Sequence, residues 1–165
     1  MQVGAREANG GAVGTIVADL DVPELFRPEM QMSGLVLASQ AAAARVPTAN
    51  QDALLKDALP AAPTTTREFE GGDTLALYAE VYPNKTQTPH RVAMRTSVRA
   101  DDGRVVFSAE EERQLADPAG APAWGHQATI SLAGFATGRY VLRVEARRLL
   151  SDPQMTAREL EFRVR

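Results

Sequence analysis

From residue 73 onward, apolar and polar positions alternate. Leu75, Leu77, Ala79 and Val81 fall on one side of a period of two, and Thr74, Tyr78, Glu80 and Tyr82 on the other. Val92, Met94, Thr96 and Val98 then alternate against Arg91, Arg95 and Arg99. Such runs predict strands with one face in a core and one in water, and they reject an amphipathic helix. Asp101–Asp102–Gly103 between two such runs predicts a tight type I′ hairpin turn, with Val105, Phe107 and Ala109 pointing inward on the returning strand.

Further strands are predicted near 126–132 (Ala128, Ile130 and Leu132 inward), 138–147 (Tyr140, Leu142, Val144, Ala146) and 156–165 (Leu160, Phe162, Val164). Upstream, the pattern predicts strands near 15–22, with Ile16, Ala18, Leu20 and Val22 inward, and near 32–38. One short helix is expected at 51–58, capped by Asn50 and packed through Leu54, Leu55 and Leu59. The rest of 40–63 reads as a long connection between sheets. Many short strands broken by Gly, Pro and Asp turns indicate an all-β, antiparallel sandwich of the immunoglobulin or fibronectin-III kind.

Val3-Gly-Ala5-Arg6, a turn at Asn9-Gly10-Gly11, and then Leu20-Asp-Val22 parallel Val144-Glu-Ala146-Arg147, a turn, and Phe162-Arg-Val164. In the second copy these segments form the closing hairpin of a sandwich. Residues 1–22 are therefore expected to be the same hairpin of a preceding sandwich, with 23–165 a domain of its own. The rival reading makes 1–22 an ordinary hairpin of one larger sheet.

Composition sharpens what function can be. Apolar residues make up 44% but aromatics only 5%, so Val, Leu and Ala must build the core around Phe69, Phe107, Phe135, Tyr140 and Phe162. A net charge of −3 offers no basic excess to displace counterions, which argues against a nucleic-acid partner. Lys56 and Lys85 are the only lysines, a bias that GC-rich coding explains more readily than a need for bidentate arginine contacts. Absence of cysteine excludes disulfides, thiolate metal sites and a cysteine nucleophile. No stretch is apolar enough to span a bilayer, and no apolar segment follows a basic start, so no signal peptide is read here.

Little chemistry is visible. His90 and His126 flank turn residues in what read as separate loops, with no Ser-His-Asp or His-x-x-x-His spacing; no catalytic residue, metal ligand or cofactor is expected. Alternation sends Glu110 and Glu112 to one face and Glu111 to the other, which spoils a compact Ca²⁺ site and leaves a solvated edge. Asn84-Lys85-Thr86 matches a glycosylation acceptor, a pattern common by chance. The loops 83–89 and 117–126 are the candidate binding surface, with Asn84, His90, Trp124 and His126 as its residues. Trp124 in a Pro/Gly-rich loop either stacks on a glycan or folds back over a sheet edge.

Leu132–Ala146 (LAGFATGRYVLRVEA) resembles the approach to the penultimate strand of many immunoglobulin-like and fibronectin-type sandwiches. That resemblance implies a corner built from Leu132, Gly138 and Tyr140, whose hydroxyl bonds back to the preceding backbone; the alternative is a plain core tyrosine. More broadly, Gly14–Val22 (GTIVADLDV), Met32–Leu37 (MSGLVL), Pro63–Phe69 (PTTTREF), Gly72–Val81 (GDTLALYAEV) and Arg99–Phe107 (RADDGRVVF) make most of the chain similar to the C-terminal region of bacterial von Willebrand factor A domain-containing proteins. The resemblance implies an extracytoplasmic, non-catalytic module after an adhesive domain, with neighbouring domains or another protein as partners. No Asp-x-Ser-x-Ser segment occurs, so that family's metal-ion-dependent adhesion site is not carried over.

Overall fold

The computed structural model describes residues 2–9, 11–19, 24–25, 29–45, 53–83, 90–115, 123–150 and 153–165. Its strands are β1 (Gln2–Arg6), β2 (Val13–Val17), β3 (Gln31–Met32), β4 (Val36–Ala38), β5 (Pro63–Thr64), β6 (Glu68–Phe69), β7 (Thr74–Tyr82), β8 (His90–Ala100), β9 (Val105–Leu115), β10 (Trp124–Ser131), β11 (Gly138–Leu149) and β12 (Met155–Val164). Two short helices, α1 (Gln40–Arg45) and α2 (Ala53–Ala58), lie between β4 and β5.

The chain folds as an antiparallel β-sandwich. One sheet runs β10-β7-β4-β5, with β3 also paired to β7; the other runs β6-β12-β11-β8-β9, and only β6 joins it in parallel. Between them lies the core predicted by alternation: Leu75, Leu77, Ala79 and Val81 face Val92, Met94, Val98, Leu142, Val144 and Ala146, nearly all fully buried. Phe69 and Phe162 meet edge-on at 6.1 Å, and Tyr140 stacks on Phe162 at 5.5 Å.

Several expectations need correction. β7 is covered on both faces, because Ala76 is small enough to admit Ala38 and Leu59 against its outer side, with Val36, Leu55, Ala61 and Tyr78 around them. The connection carries two helices instead of one. Ser39 starts α1, its Oγ accepting from Ala42 N–H at 3.2 Å. In α2, Leu55 packs but Leu54 is exposed, while Asn50 lies outside the described residues.

The hairpin between β8 and β9 is also not a two-residue turn. Gly103 N–H donates to Ala100 C=O, Ala100 N–H donates to Arg104 C=O, and Gly103 takes φ +85°, giving a longer loop closed by a left-handed glycine. A bulge between Val98 and Arg99 pairs Arg99 with Val105 and Val98 with Phe107. The extra residue turns Val105 outward and leaves Val106 and Phe107 half-buried. Ala109, predicted inward, is exposed on β9, the edge strand of its sheet.

The N-terminal segment forms its own sheet. β1 and β2 pair with each other, Val3 opposite Ile16 and Ala5 opposite Gly14, and neither belongs to the two sandwich sheets. Every residue of both strands is exposed; Val3 is 53%, Val13 68%, and Ile16 and Val17 each 72% accessible. The inward strand predicted for 15–22 is thus replaced by a shorter exposed one, with Leu20 and Val22 outside the described residues.

Candidate functional site

Two polar constellations stand out, one at the open side of the sandwich and one on the outer face of β7. At the open side, edge strands β9 and β10 come from opposite sheets. Alternation on β10 turns Trp124 and His126 inward, where Arg113 and Glu111 of β9 reach across. His126 Nδ1 lies 2.9 Å from a Glu111 carboxylate oxygen, and its Nε2 lies 2.9 Å from Thr96 Oγ1. A carboxylate only accepts, so Nδ1 carries the proton and Nε2 accepts from the Thr96 hydroxyl. Burial dominates the imidazole's titration and lowers its pKa from 6.5, with Arg113 acting the same way, against the Glu111 bond and charge, which favour the cation. The ring is a neutral cross-link between sheets.

Both histidines lie in strands and not in loops, 4% accessible at His90 and 3% at His126. Trp124 likewise opens β10, half-buried against the core, with the Arg113 guanidinium 5.5 Å from its ring centroid. Asn84 lies outside the described residues. The structure therefore brings Trp124 and His126 together in one clasp and places His90 at the start of β8. Spacing on β10 could have revealed this, since Trp124, His126, Ala128 and Ile130 continue one alternating row.

The glutamate run divides by face. Glu110 and Glu112 point outward to Arg95 at 3.4 Å and Arg91 at 2.9 Å, while Glu111 turns to His126 and Arg113. Arg143 adds pairs to Glu159 at 2.8 Å and Glu145 at 3.0 Å on the same outer surface. These are mostly solvated pairs of small energetic weight. Among the described residues, no three His, Asp or Glu side chains converge to hold a metal ion.

At the corner before β11, Tyr140 donates its hydroxyl to Ala136 C=O at 2.7 Å while its ring packs on Phe135 at 5.1 Å. Leu132 is fully buried and its N–H reaches Asp73 C=O at 2.9 Å; Gly138 opens β11 opposite Val164.

The second constellation is invisible to alternation, which puts Tyr78, Glu80 and Tyr82 on the solvent face of β7. Glu80 accepts from Tyr78 Oη at 3.3 Å and from Tyr82 Oη at 2.5 Å. The Glu80 bond, then burial and the nearby negative charge, push the Tyr82 phenol up to about 12, so it stays protonated and committed to the carboxylate. Gly125 stands opposite Glu80 in the register, and Gln127 opposite Tyr78. The Tyr78 ring fills the space that Gly125 leaves free: a Cβ there would lie 2.5 Å from Tyr78 Cε2.

Two clefts among the described residues are small. One cleft of about 60 Å³ lies among Ala42, Arg45, Thr66, Phe69 and Asp73, and an open one of about 240 Å³ lies among Asp101, Arg139, Tyr140 and Glu161. Both fall short of the roughly 300 Å³ at which small-molecule pockets begin.

No family model and no curated protein matches this sequence. Among solved structures, the chain is similar to the C-terminal domain of Wzt, with TM-score 0.51 and 10% identity, covering 88% of this chain and 87% of that one. The likeness is one of fold: both are β-sandwich domains. Weaker similarity reaches Bacteroides uniformis β-glucuronidase (TM-score 0.48, 12% identity, 81% of this chain and 14% of that one). A putative β-galactosidase from Bacteroides fragilis gives TM-score 0.46 and 10% identity, over 79% and 17%. The chain spans only a small part of those enzymes. No helix among the described residues is long and apolar enough to cross a membrane.

Proposed function

We propose that this chain is a non-catalytic interaction module of a larger protein, and that β1–β2 docks on the facing sheet of a preceding β-sandwich. The observation that carries this reading is an antiparallel hairpin at the first copy of the internal repeat, its connection one residue shorter than in the second. Val3 pairs with Ile16 and Ala5 with Gly14, as Val144 pairs with Arg158 and Ala146 with Thr156 in the closing hairpin β11–β12. The internal repeat aligns Val3 and Ala5 with Val144 and Ala146, while Leu20 and Val22 of its second half lie outside the described residues. In β11, Val144 and Ala146 are fully buried beneath the opposite sheet, whereas Val3 and Ala5 stand in solvent.

A two-stranded ribbon is marginally stable alone and gains from a covering layer. Burying the Val3 and Ile16 side chains, which share one face of the ribbon, would contribute about 1.5–3 kcal/mol each when complete. The facing sheet of a preceding sandwich supplies such a layer at the same relative position as in the second copy. Under this reading the module follows an adhesive domain of von Willebrand factor A type in an extracytoplasmic bacterial protein.

An immunoblot of fractionated host cells with an antibody against the module tests the proposal. A band far above 17.8 kDa in the envelope or the medium supports it. A band at that mass in the cytosol overturns both the docking of β1–β2 on a preceding domain and the family assignment.

A further inference from the structure

We propose that the outer face of the β10–β7 pair, around Tyr78, Glu80 and Gln127, binds a neutral glycan chain. Tyr78 and Glu80 alternate outward on β7, with Gln127 and Gly125 of β10 directly across from them. Gln127, Thr129 and Ser131 continue the same face along β10, all exposed. They recur at intervals of about 7 Å, two residues of an extended strand. An open row of this kind suits an extended chain rather than a single small molecule.

The chemistry of the row suits hydroxyl groups that both give and take hydrogen bonds. Glu80 receives the two tyrosine protons and keeps further lone pairs, and among the described residues no cation pairs with it. A half-buried carboxylate of that kind accepts readily from a diol. The Gln127 amide both donates and accepts, and Thr129 and Ser131 supply hydroxyls. Tyr78 contributes apolar surface: its ring is drawn into the space above Gly125, partly open to solvent, where the C–H face of a sugar can pack. Trp124, the aromatic that the sequence suggested for this task, faces the other side of β10 under Arg113.

Electrophoresis of the 165-residue chain through gels containing dextran, laminarin, xylan or mannan tests the site. Retardation by at least one polysaccharide is expected. Gln127→Ala and Glu80→Gln should each weaken it at least ten-fold, Gln127→Ala without change in melting temperature, while Trp124→Phe should bind as the unaltered chain does. Absence of retardation in all four gels, or undiminished binding by Gln127→Ala, overturns the proposal. So does retention of an arginine-rich peptide, in place of any glycan, that is lost with Glu80→Gln, because the carboxylate would then serve a cation. The face belongs to the sandwich and β1–β2 does not, so failure here leaves the docking of β1–β2 to be judged by its own test.

Discussion

His126 Nδ1 lies 2.9 Å from the Glu111 carboxylate, and this contact ties the edge strand of one sheet to the edge strand of the other. With Arg113 over Trp124 beside it, the open side of the sandwich is held by side chains rather than by backbone pairing. The charges on β9 also guard that edge against pairing with another strand.

The clasp makes stability depend on pH. Burial lowers the folded pKa of His126 below its unfolded value of 6.5. Between the two values the unfolded chain holds more protons, so stability falls as pH drops from about 6.5 through the folded pKa and then levels. Urea midpoints measured at about pH 7.5 and about pH 5 should therefore diverge more for the unaltered chain than for His126→Gln. Equal divergence would remove His126 as the cause.

Tyr140→Phe should cost about 1 kcal/mol in urea denaturation, the net worth of one hydrogen bond. Its ring contacts with Phe135 and Phe162 persist, so the loss should be confined to the bond with Ala136. Amide exchange in 133–137 should speed up accordingly. A cost near zero would make Tyr140 a core ring whose hydroxyl adds nothing.

Apolar residues in the two hairpins should respond differently. In the 165-residue chain Ile16→Thr should change stability by less than about 0.5 kcal/mol, as expected for an exposed site. Val144→Ala, at a fully buried position, should cost about 2 kcal/mol. Comparable losses, read from urea midpoints, would mean that Ile16 is packed.

The sandwich was legible because strands such as Leu75–Val81 and Tyr140–Ala146 alternate strictly, and a two-residue period leaves one choice of face. The reading failed where tertiary packing overrode the pattern. Ala76 looks like a neutral outward residue until Leu59 arrives from the connection to cover it. Phe107 keeps its inward position only because a bulge absorbs one residue, which alternation cannot register. Tyr78 and Glu80 read as solvent-facing because the decisive element is a missing side chain on another strand, at Gly125. The exposure of Val3 and Ile16 was equally hidden, since their pattern is that of core residues.

The central claim is that β1–β2 is a surface element awaiting its own covering layer. Hydrogen–deuterium exchange on the 165-residue chain tests it most directly, because exchange reports the free energy of local opening. The amides of β1 and β2 are predicted to exchange close to the rate of an unfolded chain, while those of β11 are protected to the level of global unfolding. Protection of β1 and β2 equal to that of β11 would contradict the account and place them in the same cooperative core.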